Sequence, residues 1–208
     1  MALLGRGTGT FSSASNVLSS IRYFTAHFDE ASLKVFDSVL VTSSLKGLKV
    51  QLSRPVRQKL PFSVNHLRIF YDLLDFSDVK QLAGWCAMLL CFFGCLRLSN
   101  LVSISKEKFD PVKQLLRGDI DFDKGMVLVC FKWSKTNQNN KKLTWIPICK
   151  VSDKRFDLKS HLKKLFSLVP VPPEAPLFSY SGDSFHSRHT LVRLLNRCIL
   201  GAGLRVSD

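Results

Sequence analysis

The stretch AGWCAMLLCFFGCL (Ala83–Leu96), followed by Arg97 and then LSNLVSIS (Leu98–Ser105), decides the fold. Its first fourteen residues carry no charge and run straight into an arginine. An apolar run of that length is short for a membrane span and fits a helix buried on all sides. Gly94 can end such a helix or bend the chain there. The arginine that follows must find a partner, because burying an unpaired charge is costly. A guanidinium held at the end of a buried helix can grip an anion, since its fork geometry matches phosphate oxygens. A cation placed there by the helix dipole alone gives the same pattern.

Upstream of this helix the spacing is helical throughout. Apolar residues Val17, Leu18, Ile21, Tyr23, Phe24 and Phe28 predict a helix from Ser12 to about His27, after a Gly/Thr-rich start. Asp29-Glu30-Ala31-Ser32 predicts another helix start, with Leu33, Val35, Phe36, Val39 and Leu40 as its buried face. A third helix, Thr42 to Leu52, is expected to turn Leu45, Leu48 and Leu52 inward. Ser53 to Pro61 then holds two prolines and the three cations Arg54, Arg57 and Lys59 in nine residues, which reads as an extended linker. The domain boundary is set there, giving residues 1–58 and 59–208. Basic linker residues are either simply solvated or in contact with nucleic-acid backbone.

The second domain opens with a helix from Ser63 to about Asp75, turning Leu67, Phe70, Leu73 and Leu74 inward. After the buried helix, Leu101 to Ile104 is expected to form one short turn. The texture then shifts to period two. Gln114–Ile120, Met126–Trp133 and Leu143–Ile148 read as a three-stranded antiparallel sheet, with turns at Asp121–Gly125 and Ser134–Lys142. Pro147 marks the last strand as an edge. Helices from Asp157 to Leu168 and from Ser187 to Leu200 complete the chain. The fold class is mainly α with a small three-stranded antiparallel sheet, an α+β arrangement.

Composition narrows the partners. Against 16 acidic residues stand 30 basic ones, a net charge of +14, which favours a polyanion and most often nucleic acid. A membrane-surface or ribosomal protein shares that balance. Hydrophobic residues make up 46% of the chain, a globular composition rather than a disordered one. Cys86, Cys91, Cys95, Cys130, Cys149 and Cys198 form no CxxC pair and no metal spacing. Reduced thiols in a nuclear or cytoplasmic compartment are the natural expectation, and the N-terminus has no apolar region fit for a secretory signal.

The run Gly94-Cys95-Leu96-Arg97-Leu98-Ser99-Asn100-Leu101 resembles the first arginine box of the tyrosine recombinases, the phage-integrase superfamily. Its form is closest to the recombinases of eukaryotic mobile elements, and Asn100 stands where bacterial members usually carry a glutamate. Phe131-Lys132-Trp133-Ser134-Lys135-Thr136-Asn137-Gln138 resembles the β-hairpin lysine motif of that family. The resemblance implies that Arg97 contacts phosphate oxygens and that Lys135, or else Lys132, protonates the leaving 5′-hydroxyl. It also implies duplex DNA as partner, no cofactor and no metal. Cleavage through a protein–tyrosine intermediate needs fixed cations for the oxyanions and a proton donor for the leaving group.

On this reading Lys132, Lys141, Lys142, Arg54, Arg57 and Lys59 contact DNA backbone without sequence preference. The family's His-x-x-Arg box, later His or Trp and late nucleophilic Tyr find no match. Tyr23, Tyr71 and Tyr180 lie too early and fit packing roles. The chain is therefore expected to be a recombinase fragment truncated at both ends. It would pair a partial helical core-binding domain with a partial catalytic domain, bind DNA and lack strand cleavage. Full-length members assemble as oligomers on DNA. A basic nucleic-acid-binding module without recombinase chemistry, or a co-opted DNA-binding regulator, would fit the same residues.

Overall fold

Short polar side chains start the helices of this protein. Thr10, Ser63, Asp78, Asp157 and Ser187 each stand one residue before a helix and accept a hydrogen bond from an amide of its first turn. The architecture comes from a computed structural model, which describes residues 10–27, 31–52, 61–132, 143–181 and 184–204. The chain divides into two compact units, residues 1–60 and 61–208.

The first unit holds α1 (Phe11–Ala26), a 3-10 turn (Ala31–Asp37) and α2 (Val39–Leu52). One helix thus runs from Val39 to Leu52, where the apolar spacing predicts a helix before Leu40 and another from Thr42. An exposed Arg22–Asp37 pair at 3.1 Å ties α1 to the 3-10 turn. The expected faces are only partly covered within this unit: Leu33, Phe36, Leu45, Leu48 and Leu52 are half-buried, whereas Val35, Val39 and Leu40 are exposed. Val39 and Leu40 are about four-fifths exposed, and Ala14 is the one buried apolar residue among those described. Helical spacing specifies a face, but only a partner element can cover it.

The second unit is built on the apolar run. Its elements are α3 (Val64–Leu73), α4 (Val79–Phe93), α5 (Leu98–Leu101), β1 (Ile120–Asp123), β2 (Met126–Phe131), β3 (Thr144–Cys149), α6 (Leu158–Leu168), β4 (Ser179–Ser181), β5 (Ser184–Phe185) and α7 (Arg188–Gly201). Every residue of α4 from Leu82 to Leu90 is buried. Trp85 is fully enclosed by Tyr71, Phe76 and Phe156, and its Nε1–H donates to the Arg155 carbonyl at 3.2 Å. A buried aromatic of this size contributes roughly 3–5 kcal/mol against truncation to Ala. On the α7 side, Gly84 lets the two helices approach, since a Cβ there would collide with Leu194 Cδ2.

The sheet has order β1-β2-β3, antiparallel throughout, with Val129 opposite both Ile120 and Ile146. Pro147 lies on β3, an edge strand that pairs only with β2, where its missing N–H costs no ladder bond. The first strand begins later than its spacing predicts. Arg117–Asp119 forms a 3-10 turn, and the reversal falls at Lys124-Gly125, with Gly125 at φ 77°. Likewise the turn after Arg97 spans Leu98–Leu101 rather than Leu101–Ile104. Leu73, expected inside, is 46% exposed, because α3 ends there and the chain leaves the core face. The short β4–β5 hairpin has no sequence signal among the expectations.

Candidate nucleic-acid interface

α4 ends at Gly94, whose N–H donates to the Leu90 carbonyl at 3.1 Å. A side chain at Gly94 would press on that carbonyl at 2.7 Å and on Ile148 of β3 at 3.1 Å. Glycine here therefore lets the sheet close against the helix end. Cys95 follows in the left-handed region, φ 50°, a conformation that costs a non-glycine residue about 1–2 kcal/mol. This tight reversal buries Leu96 and presents Arg97 outward as the residue preceding α5.

Arg97 is exposed, and no carboxylate pairs with it among the described residues. Its backbone is nonetheless fixed. The Arg97 carbonyl accepts from Asn100 N–H at 2.9 Å, and the Asn100 carbonyl accepts from Leu115 N–H at 3.1 Å. Gln114, buried, donates from Nε2 to the Ser99 carbonyl at 3.2 Å and accepts from Asp110 N–H at 2.7 Å. A neutral amide in this position completes the turn. Asn100 is itself 97% buried, which explains why a side chain without formal charge suits the site.

The segment that braces α5 on one side braces the hairpin on the other. At the end of β2, Lys132 Nζ pairs with Asp119 Oδ2 at 2.6 Å and donates to the Pro111 carbonyl at 2.8 Å. Both partners are largely buried, 16% and 12% exposed, and Asp119 also accepts from Leu116 N–H at 2.7 Å. Lys132, expected among the phosphate contacts, thus has its charge met inside the protein. Residues 110–119 connect the Arg97 turn to the root of the β2–β3 connection. Lys135, Lys141 and Lys142 belong to that connection and, like Arg54, Arg57 and Lys59, lie outside the described residues.

One further cation belongs to this neighbourhood and was not singled out from the sequence. Arg188 N–H donates to the Ser103 carbonyl at 2.7 Å, so the first residue of α7 docks on the loop after the Arg97 turn. Its side chain is exposed, as are those of His189, Arg193 and Arg197 along the helix. His189, Arg193 and Arg197, spaced i, i+4 and i+8, give the helix that Arg188 opens a basic face.

His186 is 1% exposed and structural, its ring bonded to the Lys80 carbonyl at 2.7 Å and to Thr190 Oγ1 at 3.2 Å. Burial lowers its pKa, which keeps the ring neutral at pH 7. Tyr71 packs against Trp85 and Phe76, and Tyr180 packs against His186 beneath Lys80. Neither tyrosine forms part of the Arg97 turn. No cluster of three or more His, Cys, Asp or Glu residues able to hold a metal occurs among the described residues, and no described helix is long and apolar enough to cross a membrane.

No family model and no curated protein matches this sequence. Among solved structures, the chain is similar to the XerH site-specific recombinase bound to its difH substrate in a pre-cleavage complex. The identity is 19% and the TM-score 0.48, over 97% of this chain and 56% of that one. A post-cleavage complex of XerH with a palindromic difH substrate is similar at 18% identity and TM-score 0.48, over 81% and 48% of the two chains. This chain therefore spans about half the length of those recombinases.

Proposed function

We propose that this chain binds duplex DNA through a phosphate-contacting face centred on Arg97, as part of a tyrosine-recombinase-type protein of a eukaryotic mobile element. The observation that carries the reading is an exposed guanidinium without a carboxylate partner among the described residues, held on a hydrogen-bonded turn. Surface cations are usually mobile or paired. A cation fixed by its backbone and left free at its head suits recognition of an external anion.

Arg97 and Arg188 contact phosphate oxygens, and the Lys132–Asp119 pair roots the hairpin that carries Lys135, Lys141 and Lys142. Lys135 acts as proton donor to a leaving hydroxyl in a complete enzyme of this type. Residues 1–58 belong to a partial helical core-binding domain, with Arg54, Arg57 and Lys59 on its linker. The 208 residues contain no His-x-x-Arg sequence, and the two tyrosines of the second unit are packed in its interior contacts. On this reading the 208 residues bind DNA in the nucleus or the cytoplasm and leave the strand intact. A second arginine would matter as well as the nucleophile, since each lost oxyanion donor costs roughly 3–4 kcal/mol in the transition state.

A nicked duplex that traps covalent intermediates tests both halves of the proposal. The chain should shift the duplex on a native gel and form no adduct stable to denaturant. A covalent adduct would overturn the assignment of the tyrosines, and the absence of any shift would overturn DNA binding.

A further inference from the structure

Arg117 is the anomaly of the second unit. It is 6% exposed, and no carboxylate pairs with it among the described residues. Its guanidinium lies 4.2 Å from the centre of the Phe166 ring and, among the described residues, donates once, from Nη2 to the Ser179 carbonyl at 3.0 Å. Nε is fully buried and has no partner among the described residues. Burial lowers its pKa to about 10, so it stays charged at pH 7. An interior guanidinium with one neutral acceptor is far from the pairing that buried charges normally have.

The same residue lines a cavity of about 360 Å³ with Gly118, Phe166, Pro170, Val171 and Pro173. Its wall is a proline strap tied across the 3-10 turn that precedes β1. Gly118 N–H donates to the Pro173 carbonyl at 2.8 Å and Arg117 N–H to the Ala175 carbonyl at 2.9 Å. A Cβ at Gly118 would sit 3.1 Å from Pro173 Cβ, so glycine sets how closely the strap lies. Glu174, on that strap, is exposed and forms no ion pair with Arg117.

We propose that this cavity binds a carboxylate from an acidic peptide segment of a partner protein, a Glu or Asp side chain meeting Arg117 while a neighbouring aliphatic residue packs on Phe166, Pro170 and Val171. One guanidinium and apolar walls suit a monoanion on an apolar stem. A phosphate group would call for several converging donors, and no second charged side chain lines the cavity among the described residues. The net charge of +14 also draws acidic segments toward the chain.

The test uses the full chain, labelled with nitrogen-15, and follows the Nε–H signal of Arg117 and the amide of Gly118. The probes are a capped Ala-Pro-Glu-Val-Ala peptide, its Gln counterpart, inorganic phosphate and a short DNA duplex. The Glu peptide should shift both signals and bind at least about tenfold more tightly than the Gln peptide, because hydrogen bonds to charged groups outweigh neutral ones. Arg117→Met should abolish that preference. Val171→Glu, which places a carboxylate in the cavity, should raise the unfolding midpoint and block the peptide; it keeps the test decisive if the Met variant does not fold. Equal binding of the two peptides, or no shift with either, overturns the proposal. So does a shift produced by phosphate or DNA instead, and so does a Val171→Glu chain that is destabilised or still binds.

Discussion

Replacing Lys132 with Met separates the two roles that a lysine at the end of β2 can have. The substitution removes the ammonium 2.6 Å from Asp119 and leaves that carboxylate, 12% exposed, with the Leu116 N–H as its remaining protein donor. Breaking a buried pair on one side costs about 3–5 kcal/mol, and the retained N–H with partial exposure puts this case near 3. At a urea slope of about 2 kcal/mol per molar, the midpoint should fall by about 1.5 M. Trp85, fully buried, is a suitable fluorescence probe of that transition. Replacing Asp119 with Asn in the same chain should restore most of the loss, because the neutral amide oxygen still accepts from Leu116 N–H and no lone charge is left buried. The salt dependence of DNA binding should stay as it was. An unchanged midpoint, together with a shallower salt dependence, would refute the structural role and return Lys132 to the phosphate contacts.

Other outcomes follow from the same geometry. Cys95→Gly should stabilise the chain by roughly 0.5–1 kcal/mol, since relief of the left-handed strain exceeds the entropy cost of glycine, and a lowered urea midpoint would contradict the φ of 50°. Gly84→Ala should destabilise by about 1–3 kcal/mol through contact with Leu194, read in the same titration, and a neutral effect would mean that α4 and α7 are not in close approach. His186 and His161 both have pKa values lowered by burial, so the unfolded chain binds protons first as pH falls. Stability should therefore decline below about pH 6.5 until the folded-state values are passed. Asp153, held down to about 2 mainly by Arg155, contributes its loss only at more acidic pH. Equal urea midpoints at pH 7.5 and pH 5 would refute the histidine argument.

The central helix was legible because fourteen uncharged residues, Ala83 to Leu96, leave few alternatives to burial. The sheet was legible from its alternation, yet its first strand was misplaced. Leu115, Leu116 and Ile120 look like one strand, but Arg117 and Gly118 are drawn into a turn by the Pro173 and Ala175 carbonyls, which lie more than fifty residues away. Long-range partners of that kind leave no local signature. The same holds for the site. Arg97 stood out by position, whereas the engagement of Lys132 with Asp119 and the docking of Arg188 on Ser103 depend on contacts that spacing does not encode. In the first unit the apolar spacing of Val39 and Leu40 was read as a core face, and within that unit it stays exposed.

A salt titration of duplex binding tests most directly whether Arg97 contacts phosphate. Affinity is measured for the chain and for Arg97→Ala across a range of salt concentrations, with urea midpoints taken alongside. The exposed side chain predicts an unchanged midpoint, weaker binding at every salt concentration, and a log–log slope shallower by about 0.9, the release of one phosphate contact. Superimposable binding curves for the two proteins would contradict it.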